Sequence, residues 1–176
     1  MIHVWVHDRG VRQLLNRARS LGANPEPIVR AMGNTLKSIT EGNFNSVGAK
    51  YRPSPWPAKS DGTPSILQKS TTLAKSFFLQ VDGRRAVVGS PMKYAAIHQF
   101  GGEIRPVNRD FLRFFIGDRV VFAKKVTIPA RPFFPIDDNR VDSQFTPAAA
   151  RLIVRAGERA LARALGAQQG PAAAAA

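Results

Sequence analysis

The sequence predicts one domain of the α+β class, because helical and strand patterns occupy separate stretches of the chain. Apolar residues recur every three or four positions in residues 8–44 and 146–165, as in amphipathic helices. Between these stretches, two pairs of short apolar runs each flank a Gly and Asp dipeptide, as in β-hairpins. The chain has 176 residues, of which 44% are hydrophobic, so it is long enough for one packed core.

The amino-terminal part predicts one strand and two helices. Residues 2–7 alternate between apolar and other side chains, which predicts a short strand with one apolar face. A first helix is expected from its cap at Asp8 to Gly22, and a second from about Pro27 to Phe44.

Residues 45–65 predict a long loop, because four prolines occur there and neither period persists. Long loops in compact domains are usually functional or order on meeting a partner, and Trp56 gives this one an aromatic anchor. Residues 66–76 predict a further helix.

Two β-hairpins follow. The first should pair residues 77–81 with 86–89 around Asp82-Gly83, and the second, within residues 108–126, should turn at Gly117-Asp118. The second hairpin has apolar side chains on both faces, so a monomer would leave one face exposed. We therefore expect an oligomer interface there, formed by Phe111, Leu112, Phe114, Phe115 and Ile116. On this interpretation Phe114→Asp should leave a folded monomer.

A last helix is predicted from Thr146 to Leu165, with Gly166 at its end. Its arginines recur every four residues and form one basic stripe, namely Arg151, Arg155, Arg159 and Arg163. The domain should therefore span residues 1–166, followed by a disordered Ala-rich tail over residues 167–176.

The charge points to an acidic partner. Lys and Arg total 26 against 12 Asp and Glu, for a formal net charge of +14, and 18 of the 26 are Arg. Such an excess favours nucleic acid, an acidic protein or an anionic surface, although a solvated Arg-rich surface would look the same. The stripe can therefore face DNA, an acidic partner or solvent. No base-reading module accompanies it, so sequence-specific DNA binding is not expected.

Several function classes are excluded or disfavoured. Cysteine is absent, which excludes disulfides and thiolate metal sites. No apolar stretch approaches the ~20 residues of a membrane span, and polar residues interrupt the amino terminus where a signal peptide needs an apolar core. His98 with Asp110 or Glu103 could form a catalytic set, but no motif or spacing demands it. We expect no enzymatic activity, no metal and no cofactor.

Two separated motifs carry a family resemblance. Val88 to Gly102 reads V-G-S-P-M-K-Y-A-A-I-H-Q-F-G-G, and residues 128–134 read I-P-A-R-P-F-F. In this order they resemble the virion morphogenesis, or tail completion, family of Mu-like tailed bacteriophages, over roughly residues 25–160. The motif residues are Tyr94, Ile97, His98, Gln99, Phe100, Gly101, Gly102, Ile128, Pro129, Arg131, Pro132 and Phe133.

The resemblance implies a small non-enzymatic α+β subunit with a twisted antiparallel sheet packed by two or three helices. Such subunits form a ring, of six copies by this resemblance, that completes the tail tube at its head-proximal end and joins the head. The implied partners are further copies of the chain, the tail tube protein, connector or neck proteins, and genomic DNA passing through the channel. The implied location is the virion, with assembly in the host cytoplasm. A head-tail connector or a non-specific DNA-binding packaging accessory protein remains an alternative.

The motif residues also have a mechanical interpretation. One face of a short helix should bury Tyr94, Ile97 and Phe100, leaving His98 and Gln99 to hydrogen-bond backbone groups.

The glycines and the second motif complete this interpretation. Gly101 and Gly102 should permit a tight turn. The prolines around Arg131 should hold it on an extended edge, where it pairs either with a carboxylate of an adjacent subunit or within its own chain. Phe133 should close the core.

Overall fold

The computed structural model describes residues 8–45, 50–59, 62, 67, 71–116, 118–137 and 144–168. The predicted strand over residues 2–7 lies outside the described residues, as do parts of the predicted loop and residues 169–176 of the predicted tail. The elements, in chain order, are α1 (Arg9–Ser20), α2 (Pro25–Gly42), β1 (Phe78–Asp82), β2 (Arg85–Gly89), α3 (Ala95–Phe100), β3 (Gly102–Ile104), β4 (Leu112–Ile116), β5 (Arg119–Ala123), β6 (Val126–Ile128) and α4 (Pro147–Gln168). The α+β class is confirmed.

Side-chain caps fix where the first two helices begin. The Asp8 carboxylate accepts a hydrogen bond from the Val11 backbone N–H at 3.1 Å, as its sequence position predicts. The Asn24 side chain caps α2 by accepting from the Glu26 N–H at 3.0 Å, so this helix begins two residues before the predicted Pro27.

The last helix is longer than predicted. It begins at Pro147, as expected, but continues through Gly166 and ends at Gln168. Gly166 lacks the positive φ of a helix-ending glycine, so the predicted stop there, and with it the boundary of the tail, is wrong.

The predicted helix over residues 66–76 is also wrong where the structure describes it. Residues 72–75 form turns, and Leu67 and Thr71 have φ angles of +51° and +54°, which a right-handed helix cannot accommodate. The short apolar spacing in this stretch therefore reflects individual buried residues, such as Leu73, rather than a helix face.

The strands form three separate two-stranded antiparallel ladders within the described residues, in place of the single sheet that the resemblance implied. In the first ladder Asp82 pairs with Arg85, so the two-residue turn is Gly83-Arg84, one position later than predicted. Gly83 has a φ of +49°, which this turn requires. The other two ladders pair β3 with β6 and β4 with β5.

Two adjoining hydrophobic clusters form the core. One cluster packs α1, α2 and α4 through residues such as Leu14, Ile28, Met32 and Ile153. Gly157 of α4 allows the close approach, since a Cβ there would lie 2.9 Å from the Met32 Sδ atom. The second cluster is largely aromatic and contains Phe44, Trp56, Phe77, Phe133 and Phe134. The described region therefore has a helical layer and an aromatic layer beneath the family motifs.

Candidate functional site: an exposed β-arm and the motif cluster that holds it

A β-arm, defined here as residues 102–128, leaves the aromatic cluster and returns to it. The ladder of β3 and β6 forms its base, and the ladder of β4 and β5 forms its end. In the end ladder Phe114 pairs with Val121 and Phe115 pairs with Val120. The predicted second hairpin is therefore confirmed, including both of its strands.

The two faces of the end ladder differ in exposure. Leu112, Phe114 and Val121 share one face and are half-buried. The opposite face is exposed, with Phe115 at 65% and Phe122 at 63% of their maximal accessible surface. The exposed large apolar residues of the arm are Ile104, Val107, Phe111, Phe115, Ile116, Val120 and Phe122.

Sequence reasoning found only the part of this apolar face that lies on the first strand. Phe122 and Val120, on β5, were not singled out. The signal was present, because strand pairing around Gly117-Asp118 places Phe122 beside Arg113 and Val120 beside Phe115.

At the arm's base, Glu103 of β3 forms ion pairs with Lys125 and Arg105. Its carboxylate contacts the Arg105 Nε at 2.5 Å and the Lys125 Nζ at 2.9 Å, and these hydrogen bonds lower the pKa of Glu103 below its ordinary value. The group is exposed, so the pair adds little stability.

The two family motifs meet at α3. Gln99 is fully buried, and its Oε1 accepts hydrogen bonds from the backbone N–H groups of Phe133 at 2.9 Å and Phe134 at 3.0 Å. The backbone N–H of Arg131 donates to the His98 carbonyl at 2.7 Å. The second motif is thereby clamped along the short helix, and the predicted backbone-bonding role of Gln99 is confirmed.

The buried face of α3 differs from the predicted one. Ala95 and Gln99, four residues apart, face the core, whereas Tyr94 and Phe100 are about 40% exposed and Ile97 is half-buried. The prediction that Tyr94 and Phe100 are buried is wrong, because a polar residue that satisfies two backbone donors takes the inward position.

Arg131 is not presented on an exposed edge. It is 91% buried, its Nε has no hydrogen-bond partner, and no ion pair to it occurs in the described part of the chain. Burial lowers the pKa of Arg131, and burial together with the nearby Arg131 charge lowers the pKa of His98. The expectation of an accessible Arg131 edge is therefore wrong, since Pro132 and Phe133 are buried beside it.

The turn between α3 and β3 needs glycine. Gly101 has a φ of +69°, and a Cβ there would lie 2.8 Å from the Ala130 backbone nitrogen. Gly102 follows with a φ of +151° and pairs with Ile128. The predicted tight turn at these two glycines is confirmed, and it brings the arm's base against the second motif.

Trp56 anchors the described part of the Pro-rich segment to the same motif. Its Nε1–H donates to the Pro132 carbonyl at 2.8 Å, and the Arg52 guanidinium lies 3.6 Å from the centre of its ring. The Arg52 Nε–H donates to the Asn43 carbonyl at 2.9 Å, while the Asn43 amide donates to the Phe133 carbonyl at 2.8 Å. Sequence reasoning identified Trp56 but missed Arg52 and Asn43.

The basic stripe lies on the exposed side of α4. All four arginines are exposed, and the carboxylate of Glu158 is exposed on the same helix. The opposite side of α4 packs against α1 and α2 through Ile153 and Leu161. The stripe is thus free to meet a partner, and it lies on a different element from the β-arm.

Two features of the described residues bear on other classes of function. None of the helices that the structure describes is both long enough and apolar enough to span a membrane. The same residues contain no group of three or more His, Asp or Glu side chains that could hold a metal ion.

Comparison with known proteins identifies the family. The model of the phage virion morphogenesis family matches residues 6–152. Mu-like prophage FluMu G protein 2 of Haemophilus influenzae is 30% identical over 136 residues, which cover 76% of this chain and 83% of that protein. No solved structure matches. The match includes both motifs, the β-arm and the first part of α4, and the chain belongs to the phage virion morphogenesis family.

Proposed function

We propose that this phage morphogenesis protein completes the tail tube at its head-proximal end as a ring of identical subunits and takes part in joining the head. The β-arm is the principal contact between neighbouring copies. The tail tube protein and the connector or neck proteins bind the two sides of the ring, and DNA passes through its channel without specific contacts.

The observation that supports this proposal is the exposed apolar face of the β-arm. Monomeric proteins rarely expose a contiguous apolar patch of this kind unless a partner covers it. A phenylalanine side chain can bury about 150–250 Å². Covering the exposed parts of Phe115 and Phe122 would therefore remove about 250 Å² of apolar surface from water, a gross contribution of about 6 kcal/mol per copy before association costs.

A ring of identical copies would cover this face in every subunit. In a cyclic assembly each copy offers its arm to a different surface of the next copy, so every arm is covered and no end remains open. The arm lies apart from the basic stripe of α4, which leaves the stripe available for the channel or for an acidic neighbour.

The test compares matched aspartate variants. Phe115→Asp and Phe122→Asp should each yield a folded monomer where the wild type forms a ring in sedimentation-velocity runs. Leu21→Asp is the control, because Leu21 is also exposed, at 46%, but lies just after α1 and far along the chain from the arm. Rings of unchanged mass in both arm variants would remove the arm from the interface.

A complementation experiment tests the role in the virion. In a phage that lacks the gene, the wild type and Leu21→Asp should restore tails joined to filled heads, counted in negative-stain images. Phe115→Asp should leave separate heads and tails. Normal particles with Phe115→Asp would contradict the proposal.

The exposed arginines favour a second candidate, a non-specific DNA-binding accessory role. Neutralising all four as Arg151→Gln, Arg155→Gln, Arg159→Gln and Arg163→Gln should then reduce the slope of log affinity against log salt by about 3.6. This candidate also requires that the free protein is monomeric. A ring-forming wild type without salt-dependent DNA affinity would exclude it.

A further inference from the structure

Arg131 is a buried cation for which the described part of the chain offers no counter-charge. The residue is 91% buried, its Nε has no hydrogen-bond partner, and no ion pair to it occurs among the described residues. A buried guanidinium has lost its hydration, so it destabilises the fold unless an acceptor compensates it. Arg131 is therefore the residue of the second motif that gains most from a carboxylate.

The surroundings of Arg131 adjoin an exposed aromatic surface on α3. The Arg131 backbone N–H donates to the His98 carbonyl, and the Arg131 charge helps to lower the pKa of His98, so the two side chains lie close together. The Nδ1 atom of His98 is also buried without a partner. The Tyr94 ring meets the His98 ring edge-on, with centroids 6.0 Å apart, and Tyr94 and Phe100 are about 40% exposed. An apolar surface thus borders two buried groups that lack hydrogen-bond partners.

A carboxylate without a partner lies at the tip of the β-arm. Of the Asp and Glu side chains that the structure describes, three are exposed and form no hydrogen bond or ion pair, namely Asp110, Asp118 and Glu158. Asp110 and Glu158 each share a surface pocket with two arginines. Asp118 instead lies in the turn between Ile116 and Arg119, at the outer end of the β-arm. Asp118 can therefore reach a recessed group on another copy ahead of the rest of the arm.

The residues beside Asp118 suit the aromatic surface of α3. Phe115 and Ile116 precede the turn and are 65% and 60% exposed. A contact at the tip would therefore join a charge pair to an apolar patch, as in specific interfaces between proteins. A DNA phosphate is a poorer occupant, because a phosphate on a rigid duplex cannot reach a side chain that is 91% buried, whereas a carboxylate on a hairpin turn can.

We propose that Asp118 at the tip of the β-arm pairs with Arg131 of the next copy. The apolar residues beside Asp118 then cover Tyr94 and Phe100 on α3. The contact joins two different surfaces, as a ring requires. It rests on the proposed function, since it names the surface that receives the arm. Arg131 is then the exception among the buried motif residues, because its partner lies in another subunit.

A double-mutant cycle tests the pair, and its readout is the protein concentration at which half of the chains form rings in sedimentation-velocity runs. Asp118→Asn should raise this concentration at least about 10-fold, because it leaves the buried charge of the neighbour without its acceptor. In an Arg131→Gln background the same change should have no further effect. Asp110→Asn is the matched control, since Asp110 is also an exposed carboxylate of the arm, and it should change the concentration by less than about 2-fold.

The outcomes separate this pair from the proposed function. If Phe115→Asp abolishes rings but Asp118→Asn does not weaken them, the arm remains the interface and the pair is rejected. If neither variant weakens the rings, the arm interface fails as well. An equal effect of Asp118→Asn in both backgrounds, or an equal effect of Asp110→Asn, also rejects the pair.

A second measurement covers the case in which Arg131→Gln does not fold. The Arg131 Nε–H is then followed by NMR in wild-type and Asp118→Asn rings, both at concentrations where assembly is complete. Its exchange with water should be slower in the wild type, because the paired guanidinium is held in place by the neighbour's carboxylate. Equal exchange rates in the two rings would reject the pair.

Discussion

Replacing Gln99 by methionine should cost a large part of the stability, because this side chain serves two backbone donors at once. Its Oε1 accepts from the N–H groups of Phe133 and Phe134, which are themselves 0% and 3% exposed. Methionine has a similar length but only a weak acceptor, so both donors would remain buried without a partner.

The expected decrease in the free energy of unfolding follows from the loss of hydrogen bonds to those two donors. A buried polar group left without its hydrogen bond costs about 1–3 kcal/mol. For the two N–H groups together we expect Gln99→Met to lower the free energy of unfolding by about 3 kcal/mol. In a chain of this length that corresponds to a decrease in Tm of roughly 6–12 °C.

Urea unfolding measured by tryptophan fluorescence is the assay, with Trp56 in the aromatic cluster as an internal probe. Gln80→Met is the matched control, since Gln80 is exposed on β1 and the same substitution there should change stability by less than about 0.5 kcal/mol. If Gln99→Met lost no more stability than Gln80→Met, the clamp between the two motifs would have no energetic importance.

Three further predictions concern the interior. Gly157→Ala should lower the free energy of unfolding by about 1 kcal/mol, because its Cβ would overlap Met32. Gly166→Ala on the same helix has open space around its Cβ and should raise the free energy of unfolding by up to about 1 kcal/mol. The urea midpoints of the two variants distinguish these opposite effects. The pKa of His98 is lowered below 6.5, so the unfolded chain takes up this proton first as the pH falls. The free energy of unfolding should therefore decrease between pH 7 and pH 5. His98→Gln should lose less stability over that range in the same urea assay. Trp56→Phe removes the donor to the Pro132 carbonyl and should cost about 1–3 kcal/mol, measured by circular dichroism during urea unfolding.

The parts of the fold that sequence predicts well are those set by local rules. The cap at Asp8, the turn at Gly83 and both strands of the end ladder depend on neighbouring residues only. The predicted helix over residues 66–76 fails for the opposite reason. A few apolar residues at helical spacing occur there by chance, and positive φ at Leu67 and Thr71 rules out a helix.

In the candidate site, too, features set by neighbouring residues could be predicted and features set by tertiary packing could not. The apolar character of the arm could be predicted from Phe111 and Phe115, but which face is covered depends on how the arm leaves the core. The inward position of Gln99 could not be predicted, because the two N–H groups it serves lie 34 and 35 residues away. Burial of Arg131 is likewise a consequence of tertiary packing around the second motif.

The buried motif residues hold the subunit together, and this role differs from that of residues exposed to neighbouring subunits. Gln99 and Pro132 connect α3, the second motif and Trp56 inside a single subunit. The most exposed aromatic residues, Phe115 and Phe122, lie outside both motifs, whereas Tyr94 and Phe100 of the first motif are about 40% exposed. Substitutions of the buried motif residues should therefore impair assembly in proportion to the stability they remove, whereas Phe115→Asp should impair assembly while the free energy of unfolding of the subunit stays the same. Assembly and the free energy of unfolding should be measured for both Gln99→Met and Phe115→Asp. Gln99→Met should lose both, whereas Phe115→Asp should lose assembly alone, and this difference distinguishes a residue needed for folding from one on a contact surface.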